Sequence, residues 1–350
     1  MKYSVGIVGF TGYSGAEAVR ILTHHPHCEP VLLSHRVDPT DDSKLLRKPA
    51  IRRAQATPES VATEGLAAVL LATPHDVSMD LAPKFLAAGA IVIDLSAAFR
   101  LPTGAEYFEW YKEPHTATDL LPNAVYSIPE FHRAKVHRAG VNKTRLIANP
   151  GCYPTASLLA LAPLARARLI EDVVIDAKSG VSGAGRAATE KTHFVTVDEN
   201  LSAYGVPRHR HIPEIEQELA TLGADVPITF IPHLVPLDQG ELVSCYVTLS
   251  PSEGAGVADL EALYSDAYAD ERFVELTSTP PGVRDVRETN ICRMSVHRDD
   301  RTGRAIVFAA IDNLWKGAAS QAVQNLNLML GLPEEEGIGV GAAPAREAVR

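Results

Sequence analysis

A cysteine at the point where a turn leads into an apolar helical stretch is the residue of this chain best suited to chemistry. Residues 147–163 read Ile-Ala-Asn-Pro-Gly-Cys-Tyr-Pro-Thr-Ala-Ser-Leu-Leu-Ala-Leu-Ala-Pro, which places Cys152 directly after the turn. Backbone N–H groups at a helix start favour negative charge, so a thiol there ionises more easily than a free one. Since a single cysteine is also often a small buried apolar residue, this segment alone leaves both a nucleophile and a structural cysteine open.

Near the N-terminus, three glycines at three-residue spacing follow a short apolar run. Tyr3–Val8 predicts a strand, residues 9–17 read Gly-Phe-Thr-Gly-Tyr-Ser-Gly-Ala-Glu, and 18–22 continues as a helix. Such glycines let the backbone turn tightly and approach a pyrophosphate at the helix N-terminus. The position after a predicted strand strengthens the motif. It predicts that the following loop residues bind a dinucleotide: Gly9, Thr11, Gly12, Tyr13, Ser14 and Gly15.

The end of the second predicted strand, 29–33, indicates which dinucleotide is bound. The strand is followed by Ser34, His35 and Arg36. An acidic residue near this point is typical of NAD sites, whereas hydroxyl and guanidinium groups suit a 2′-phosphate. The sequence therefore favours NADP, although Arg36 as a solvated loop charge stays open.

Two more apolar runs, 67–72 and 90–95, predict strands of the same sheet. Polar residues follow each of them, with Pro74 and His75 after the first and Arg100 after the second. Loops at the carboxyl ends of parallel strands line the ligand crevice. We expect Pro74 near the cofactor and His75 and Arg100 at the site, although a Pro-His turn and a surface arginine are also common without a function.

Composition excludes several classes of partner. The chain has 350 residues, of which 46% are hydrophobic and 22% charged, which is enough for two domains. A formal net charge of −10 argues against a nucleic-acid-binding surface, and no apolar stretch approaches the roughly 20 residues of a membrane span. The N-terminal residues do not resemble a secretory signal. We therefore expect a cytoplasmic protein that binds neither nucleic acid nor membranes.

The cysteines and histidines do not predict a metal site. The four cysteines are widely spaced, which indicates reduced thiols: Cys28, Cys152, Cys245 and Cys292. Residues 24–28 read His-His-Pro-His-Cys, which leaves metal binding open. A helix end that Pro26 stops is the simpler interpretation, so no metal is predicted.

Polar residues concentrate again after the cysteine segment. A predicted strand, 172–178, leads into Ser-Gly-Val-Ser-Gly-Ala-Gly-Arg at 179–186. The amides of such a loop can hold an anion with help from Arg186, or the loop can be a flexible connector. Residues 208–211 read Arg-His-Arg-His and precede a predicted helix over 215–222. These side chains are costly to bury, which favours an anionic substrate site with an imidazole for proton transfer.

Together with Asp-Asn-Leu-Trp-Lys-Gly-Ala at 312–318, these motifs resemble the N-acetyl-gamma-glutamyl-phosphate reductase family over residues 5–331. The resemblance implies NADPH-dependent reduction of N-acetyl-gamma-glutamyl phosphate to the 5-semialdehyde, with release of phosphate, in arginine biosynthesis. It implies that Cys152 is the nucleophile that forms a thioester and that His209 is the general acid/base. It also implies a homo-oligomer, a dimer or a tetramer.

The resemblance assigns further site residues. Ser182, Gly183 and Asn313 are implied on the cofactor side. The substrate-side residues that it implies are Arg100, Asn149, Ser179, Arg186, Tyr204, Arg208, His211 and Glu214. Arg210 lies in the run 204–214 with the last four of these residues.

Three departures from the family pattern bear on the substrate. Ala98 stands where the family usually has Asp, Ser127 where it has Gly, and Gln239 where it has Arg. If the missing arginine normally contacts an anion, its loss costs about 1.5 to 3 kcal/mol per charge-assisted contact. The sister reductase of lysine biosynthesis, which acts on aminoadipyl phosphate, therefore stays open. Aspartate-semialdehyde dehydrogenase and a non-catalytic NADP-binding regulatory protein also stay open.

The predicted fold class is α/β, with an N-terminal Rossmann-type doubly wound parallel sheet and a central α+β domain of the semialdehyde dehydrogenase type. The NADP-binding domain is predicted at 1–150 and 312–350, with a helix from Lys316 to 330 returning to it. The catalytic and oligomerisation domain is predicted at 151–311. Its sheet is expected to contain the following ranges: 173–177, 227–232, 242–249 and 305–311. The tail from Pro333 is expected to be mobile near Arg350.

Overall fold

The chain folds into two compact units, each with a sheet of its own. The computed structural model describes residues 2–35, 51–141, 145–250 and 259–339. The first unit comprises the described residues of Met1–Pro150 and Ala318–Arg350, and the second is Gly151–Gly317 with the same restriction. Within the described ranges, no helix combines the length and the apolar character that a membrane crossing requires.

Parallel strands form the middle of the first unit. The strands are β1 Tyr3–Val8, β2 Cys28–Ser34, β3 Arg52–Gln55, β4 Leu66–Leu71, β5 Ile91–Asp94, β6 Val125–Tyr126 and β7 Leu146–Ala148. Their order in the sheet is β3-β2-β1-β4-β5-β7-β6, and every neighbouring pair is parallel. The chain runs outward from β1 to β3 and then returns to β4 on the other side of β1. Ligands of such sheets bind at this switch point, outside the carboxyl ends of the strands.

Helices cover this sheet. They are α1 Tyr13–His24, α2 Glu59–Thr63, α3 His75–Ala87, α4 Gly104–Tyr111 and α5 Pro129–Val141. Successive strand residues point to opposite faces. Val8 and Val69 pack in one core with Phe85 of α3, whereas Ile7 and Leu70 are fully buried outside that cluster. Burial on both faces explains the nearly continuous apolar runs of these strands.

The predicted N-terminal elements agree with the structure, with one correction. The strands predicted at 29–33, 67–72 and 90–95 correspond to β2, β4 and β5 within two residues at each end. The first helix, however, begins at Tyr13 and not at 18, because Gly12 is its N-cap, with φ −75° and ψ 165°. Gly15, predicted as a loop residue, therefore lies inside α1.

A mixed sheet forms the second unit. Its strands are β8 Ile170–Gly180, β9 Ser202–Ala203, β10 Ile228–Val235, β11 Glu241–Leu249, β12 Val274–Leu276, β13 Cys292–Asp299 and β14 Arg304–Ile311. The order is β12-β13-β14-β11-β8-β10-β9. The pairs β8 with β10 and β12 with β13 are parallel, and the others are antiparallel. The four strand ranges predicted for this sheet overlap β8, β10, β11 and β14.

A buried helix packs on this mixed sheet. The helices of the second unit are α6 Cys152–Arg166, α7 Phe194–Val197, α8 Ile212–Leu222 and α9 Leu260–Ala267. Every residue of α6 from Tyr153 to Ala165 is buried, and α6 packs against β11, β14 and α8. A helix that is apolar on all sides is expected to be buried in this way.

The C-terminal helix, α10 Ser320–Leu330, packs against α1 and α5 of the first unit. The sequence predicted a helix from Lys316, but a π-helical turn over Trp315–Ala319 comes first. Buried amides hold α10 in place: Asn325 donates to Asn149 Oδ1 at 3.2 Å, and the His25 ring lies 3.1 Å from Asn327 Oδ1.

The beginning of the C-terminal tail is fixed to the first unit. Glu334 pairs with Arg133 at 2.6 Å, and Ile338 is buried. Residues 340–350, where mobility is predicted, lie outside the described residues.

Candidate active site

Cys152 is the first residue of α6. Its N-cap, Gly151, has extended backbone angles of φ −69° and ψ 160°. The Gly151 N–H donates to Glu214 Oε1 at 2.7 Å, and the Thr155 N–H donates to the Gly151 carbonyl at 3.0 Å. Glu214, predicted to bind substrate, thus fixes the turn that carries the thiol.

The four cysteines have different environments. Cys152 is partly exposed, whereas Cys28, Cys245 and Cys292 are buried. Burial raises the pKa of Cys28 and of Cys245 to about 12. Because a reactive cysteine needs access and thiolate character, Cys152 is the thiol suited to attack a substrate.

Gly317 packs directly against Cys152. A Cβ atom at Gly317 would lie 2.6 Å from the Cys152 Cβ and 3.2 Å from its Cα. Since real Cβ atoms do not approach so closely, a side chain at 317 would displace the cysteine. This explains a glycine in the Lys-Gly-Ala segment that sequence analysis selected only by resemblance.

Aromatic and histidine rings form a cluster next to the cysteine. The His209 ring centroid lies 6.0 Å from Tyr153, 5.5 Å from Tyr204, 4.8 Å from His211 and 5.2 Å from Phe230. Tyr204 donates its hydroxyl to the Tyr153 hydroxyl at 3.3 Å. The second unit thus brings Tyr153, the residue after Cys152, together with three residues predicted from the run 204–211, which are Tyr204, His209 and His211.

His209 is held in a neutral state. It is 7% exposed, and its Nδ1 accepts the backbone N–H of His211 at 3.2 Å, which assigns the proton of the neutral ring to Nε2. Burial, assisted by the charge of Arg210, lowers the His209 pKa to about 4. Gly205, with φ +64°, makes room for the ring, because a Cβ there would lie 2.9 Å from His209 Cδ2. In this tautomer the ring presents its Nε2–H as a donor to an oxygen atom, because the Nδ1 lone pair is already taken by the His211 N–H.

The predicted Ser-Gly loop meets the segment after β14. Asn313 accepts the Gly240 N–H at 2.7 Å and donates to Ser182 Oγ at 3.0 Å. A Cβ at Gly183 would lie 3.0 Å from Ser179 Oγ. The loop residues predicted from sequence are therefore gathered around Asn313, whose side chain fixes their arrangement.

The arginines of these segments are on the surface. Arg186, Arg208 and Arg210 are exposed in the second unit. Their binding of substrate stays a prediction.

Glu241 is a site residue that sequence analysis missed. It is fully buried, and the side chains of Cys152 and Ser179 lie beside its carboxyl group. Burial raises its pKa to about 8, the charge of Asp312 adds to this effect, and the Cys152 and Ser179 side chains oppose it. The only signal in the sequence is an acidic residue directly after Gly240, at the start of an apolar run that we predicted from 242.

In the first unit, the glycine loop fits a pyrophosphate. Gly9 has φ +81°, and a Cβ on it would lie 2.1 Å from the Ala72 carbonyl oxygen. A Cβ on Gly15 would lie 2.2 Å from the Gly9 carbonyl oxygen, and the Gly12 N–H donates to that oxygen at 2.9 Å. Gly9 and Gly15 therefore have no room for side chains, and the backbone of the loop lies uncovered at the N-terminus of α1. The N–H groups of a helix N-terminus bind anions. The first turn of α1 holds no acidic residue that would repel them.

Other predicted ligands of the first unit have defined positions. Ser34 is the last residue of β2, Pro74 is the N-cap of α3, and Tyr13 is exposed at the start of α1. His75 lies 2.8 Å from the Tyr107 hydroxyl through its Nδ1. Arg36 lies outside the described residues.

Arg100 and Asn149 are buried and are linked by a hydrogen bond. Arg100 donates to the carbonyls of Asn149, at 2.9 Å, and Leu95, at 2.8 Å. The Asn149 amide donates to the Ala318 carbonyl at 3.3 Å. These contacts order the end of β7, and a direct role with substrate stays a prediction.

The three positions that depart from the family pattern are buried. Ser127 donates to Asn325 Oδ1 at 2.6 Å, and Gln239 donates to Asp312 Oδ2 at 3.0 Å. The Ala98 carbonyl lies 2.8 Å from His115 Nε2. Both polar replacements thus have side-chain partners within their own unit.

The histidine-rich segment 24–28 has a structural explanation. His25 is buried, and its Nδ1 accepts the backbone N–H groups of His27 and Cys28 at 3.1 and 3.0 Å. In the described part of the chain, no group of three or more His, Cys, Asp or Glu side chains is placed to hold a metal ion.

Comparisons with known proteins agree with this architecture. Residues 4–139 match the family model described as semialdehyde dehydrogenase, NAD binding domain, and 152–313 match the semialdehyde dehydrogenase dimerisation domain. The N-acetyl-gamma-glutamyl-phosphate reductase of Desulforudis audaxviator (strain MP104C) is 46% identical over 345 residues, which cover 95% of this chain and 97% of that protein. The protein of the same name from Pseudomonas putida (strain W619) is 44% identical over 343 residues, with the same coverage.

Among solved structures, aspartate semialdehyde dehydrogenase II from Vibrio cholerae has a similar fold. It matches with a TM-score of 0.71 and 20% identity, covering 95% of this chain and 99% of that one. The chain therefore belongs to the N-acetyl-gamma-glutamyl-phosphate reductase family of semialdehyde dehydrogenases. The predicted resemblance, the fold class, the oxidoreductase class and a nicotinamide dinucleotide cofactor are confirmed by these matches.

Proposed function

We propose that this protein catalyses the NADPH-dependent reduction of N-acetyl-gamma-glutamyl phosphate to N-acetyl-glutamate 5-semialdehyde, with release of phosphate, in arginine biosynthesis. The observation that carries the proposal is a partly exposed cysteine at the first position of α6, in a chain 46% identical to a reductase of that name.

In this proposal, the Cys152 thiolate attacks the acyl carbon and displaces phosphate, which leaves a thioester on the sulfur. The first N–H groups of a helix have no acceptor within the helix. Those at the start of α6 support the negative charge on the tetrahedral oxygen. The Glu214 bond to Gly151 keeps this turn in place.

His209 is the acid/base for the oxygen of the reacting carbon. Once protonated from solvent, the ring gives its Nε2 proton to the thiohemiacetal oxygen as the thioester is reduced. It takes the hydroxyl proton back at Nε2 as the thiolate leaves and the aldehyde forms. The neighbouring Tyr204 and His211 support the ring in the observed geometry. Arg100, Asn149, Ser179, Arg186 and Arg208 remain candidate substrate ligands.

The cofactor is held by the first unit. NADPH, when bound, supplies the hydride that reduces the acyl group. Gly9, Gly12 and Gly15 let the backbone approach its diphosphate, and Ser34 with Arg36 recognises the 2′-phosphate. In the second unit, Ser182, Gly183 and Asn313 are candidate ligands on the nicotinamide side.

We further propose that 151–311 is the catalytic and oligomerisation domain of a cytoplasmic homodimer or homotetramer. The match of 152–313 to a dimerisation domain supports this assignment.

The departures from the family pattern support no change of substrate. Ser127 and Gln239 are hydrogen-bonded to buried side chains of their own unit, which gives both residues a structural role. The glutamyl compound is therefore the expected substrate.

The test is the reverse reaction, in which NADP is reduced by N-acetyl-glutamate semialdehyde in the presence of phosphate. The aminoadipate semialdehyde analogue is measured beside it. We expect rapid, phosphate-dependent turnover of the glutamate compound alone. A preference for the longer analogue, or no turnover of either compound, would contradict the proposed substrate.

A further inference from the structure

Glu241 lies beneath the start of α6. As the first residue of β11, it is paired with Ser179 of β8 and with Ile311 of β14. A Cβ at Gly317 would touch both Cys152 and the Ile311 side chain, so the first turn of α6 lies over these strand ends. This packing puts the Cys152 thiol beside the Glu241 carboxyl group.

The carboxyl group of Glu241 is fully buried, and the Cys152 and Ser179 side chains are polar groups beside it. Among the described residues, no donor reaches either of its oxygens in hydrogen-bond geometry, and the side chain is fully buried. The Ser179 hydroxyl lies near enough to counteract the rise in the Glu241 pKa, and its hydrogen bond in the observed geometry goes to the Gly180 carbonyl at 3.3 Å. A buried, unsatisfied carboxyl group is costly, so a neutral apolar side chain would suit this position better if its role were only structural.

The nearby Asp312 has a different environment. It accepts hydrogen bonds from the Gln239 side chain and from the backbone N–H groups of Glu288 and Leu314, at 3.0, 2.8 and 2.9 Å. Asp312 is thus a stabilised carboxylate that caps a turn, whereas no such set of donors reaches the Glu241 oxygens in the described residues.

Several titratable groups interact with Glu241. Among the described residues, these are Cys152 and Tyr153 of α6, Tyr204 and Asp312. Burial raises the pKa of both tyrosines, that of Tyr204 to about 12, so they keep their protons. Burial raises the Glu241 pKa to about 8, so this carboxyl can both give and take a proton near neutral pH.

We propose that Glu241 is the acid/base partner of Cys152, an inference that rests on the proposed role of Cys152 as the nucleophile. The Glu241 carboxylate takes the thiol proton as the S–H bond breaks and the sulfur bonds to the acyl carbon. The carbon–oxygen bond to phosphate breaks with its electron pair, and phosphate takes a proton from solvent. After reduction, the carbon–sulfur bond of the thiohemiacetal breaks, and the Glu241 carboxyl returns its proton to the thiolate.

The decisive experiment is alkylation of Cys152 by iodoacetamide as a function of pH, in the full-length protein without substrate or cofactor. The other cysteines are buried, so Cys152→Ser gives the background. Since two coupled groups lose their protons in two steps, we expect two rises in the wild-type rate and a single rise in Glu241→Gln. Glu241→Asp, which keeps the titrating group, is expected to keep both rises.

Turnover of the same variants completes the test. We expect Glu241→Gln to lower kcat/KM by about 10²- to 10⁴-fold, the usual contribution of a positioned acid/base, and Glu241→Asp to recover part of it. Glu218→Gln removes another buried carboxyl of the second unit and is expected to change turnover less than about twofold.

Identical single-step alkylation profiles for wild type and Glu241→Gln would overturn the proposal, even if turnover fell, because Glu241 would then act only through the structure. Alkylation requires neither substrate nor NADPH. A protein that reduced neither semialdehyde in reverse but kept the two-step profile would contradict the proposed function alone.

Discussion

The start of α1 and the start of α6 are built alike but present different chemistry. Both helices have a glycine N-cap without a side-chain hydrogen bond, Gly12 at φ −75° and ψ 165° and Gly151 at φ −69° and ψ 160°. At α1, the next glycine is packed on the loop itself, and the backbone amides are left for an anion. At α6, the first helical residue is a cysteine. In the proposed function, the same electrostatic device serves binding in one unit and nucleophilic attack in the other.

Removal of the Cys152 thiol should distinguish the functions of the two helix N-termini most clearly. Cys152→Ser is expected to lower turnover by about 10³-fold or more, because a serine hydroxyl at this position lacks the thiolate that attacks the acyl group. The dissociation constant of NADPH should change less than about twofold. Activity assays and NADPH fluorescence titration measure the two effects. Substantial residual turnover would remove the covalent mechanism.

In the second unit, the buried His209 makes stability depend on pH. The folded pKa of His209 is about 4, below the 6.5 of an ordinary histidine. Between these values the unfolded chain binds more protons, so the stability from neutral His209 is complete above pH 6.5 and is lost as pH falls towards 4. The loss is about 3 kcal/mol, taken as 1.36 kcal/mol for each pKa unit.

The free energy of unfolding in urea, measured from pH 7 to pH 4.5, checks this value against His209→Asn. We expect the wild type to lose more stability than the variant over this interval. Parallel curves for the two proteins would show that His209 is not held neutral by the fold.

Two glycines provide a matched pair of substitutions for the two helix starts. Gly15→Ala places a Cβ 2.2 Å from the Gly9 carbonyl oxygen, and Gly317→Ala places one 2.6 Å from the Cys152 Cβ. We expect the first to weaken NADPH binding by about 10²-fold. The second should lower kcat by a similar factor, because a small displacement of a reacting group is costly. Gly12→Ala, where the nearest atom is 3.3 Å away, should have a smaller effect than Gly15→Ala.

NADPH titration and single-turnover kinetics of Gly15→Ala and Gly317→Ala measure these two effects. Thermal unfolding of both variants checks that they are folded. If Gly317→Ala changed NADPH binding as strongly as Gly15→Ala, the two helix starts would not act separately.

Sequence reasoning succeeded where local patterns decide the structure. The range Tyr3–Val8 agrees with β1 at both ends, and the turn before Cys152 does lead into a helix. Apolar runs, glycines and a helix start are local signals, so they were readable without the fold.

It failed where distant segments meet. Strand Arg52–Gln55 has no apolar alternation and exists because it pairs with β2 at the edge of the sheet. The strand predicted at 242–249 leaves out Glu241, which is the first residue of β11. The residues around Glu241 in the sequence do not show that α6 covers it or that Cys152 lies beside it. A buried acidic residue is revealed only by the packing above it.

The smallest expected effect concerns which dinucleotide the first unit selects. Ser34 ends β2, next to β1 and the glycine loop, and Arg36 follows two residues later. Hydroxyl and guanidinium groups bind a 2′-phosphate, which NADPH has and NADH lacks. Replacing both residues by alanine should therefore raise the NADPH dissociation constant about tenfold, as expected for the loss of one charge-assisted contact, and leave that of NADH nearly unchanged. Titration of each cofactor into the variant and the wild type measures the ratio. An equal change for both cofactors would mean that these residues shape the loop without reading the phosphate, and the selectivity of the first unit would then have to come from elsewhere in it.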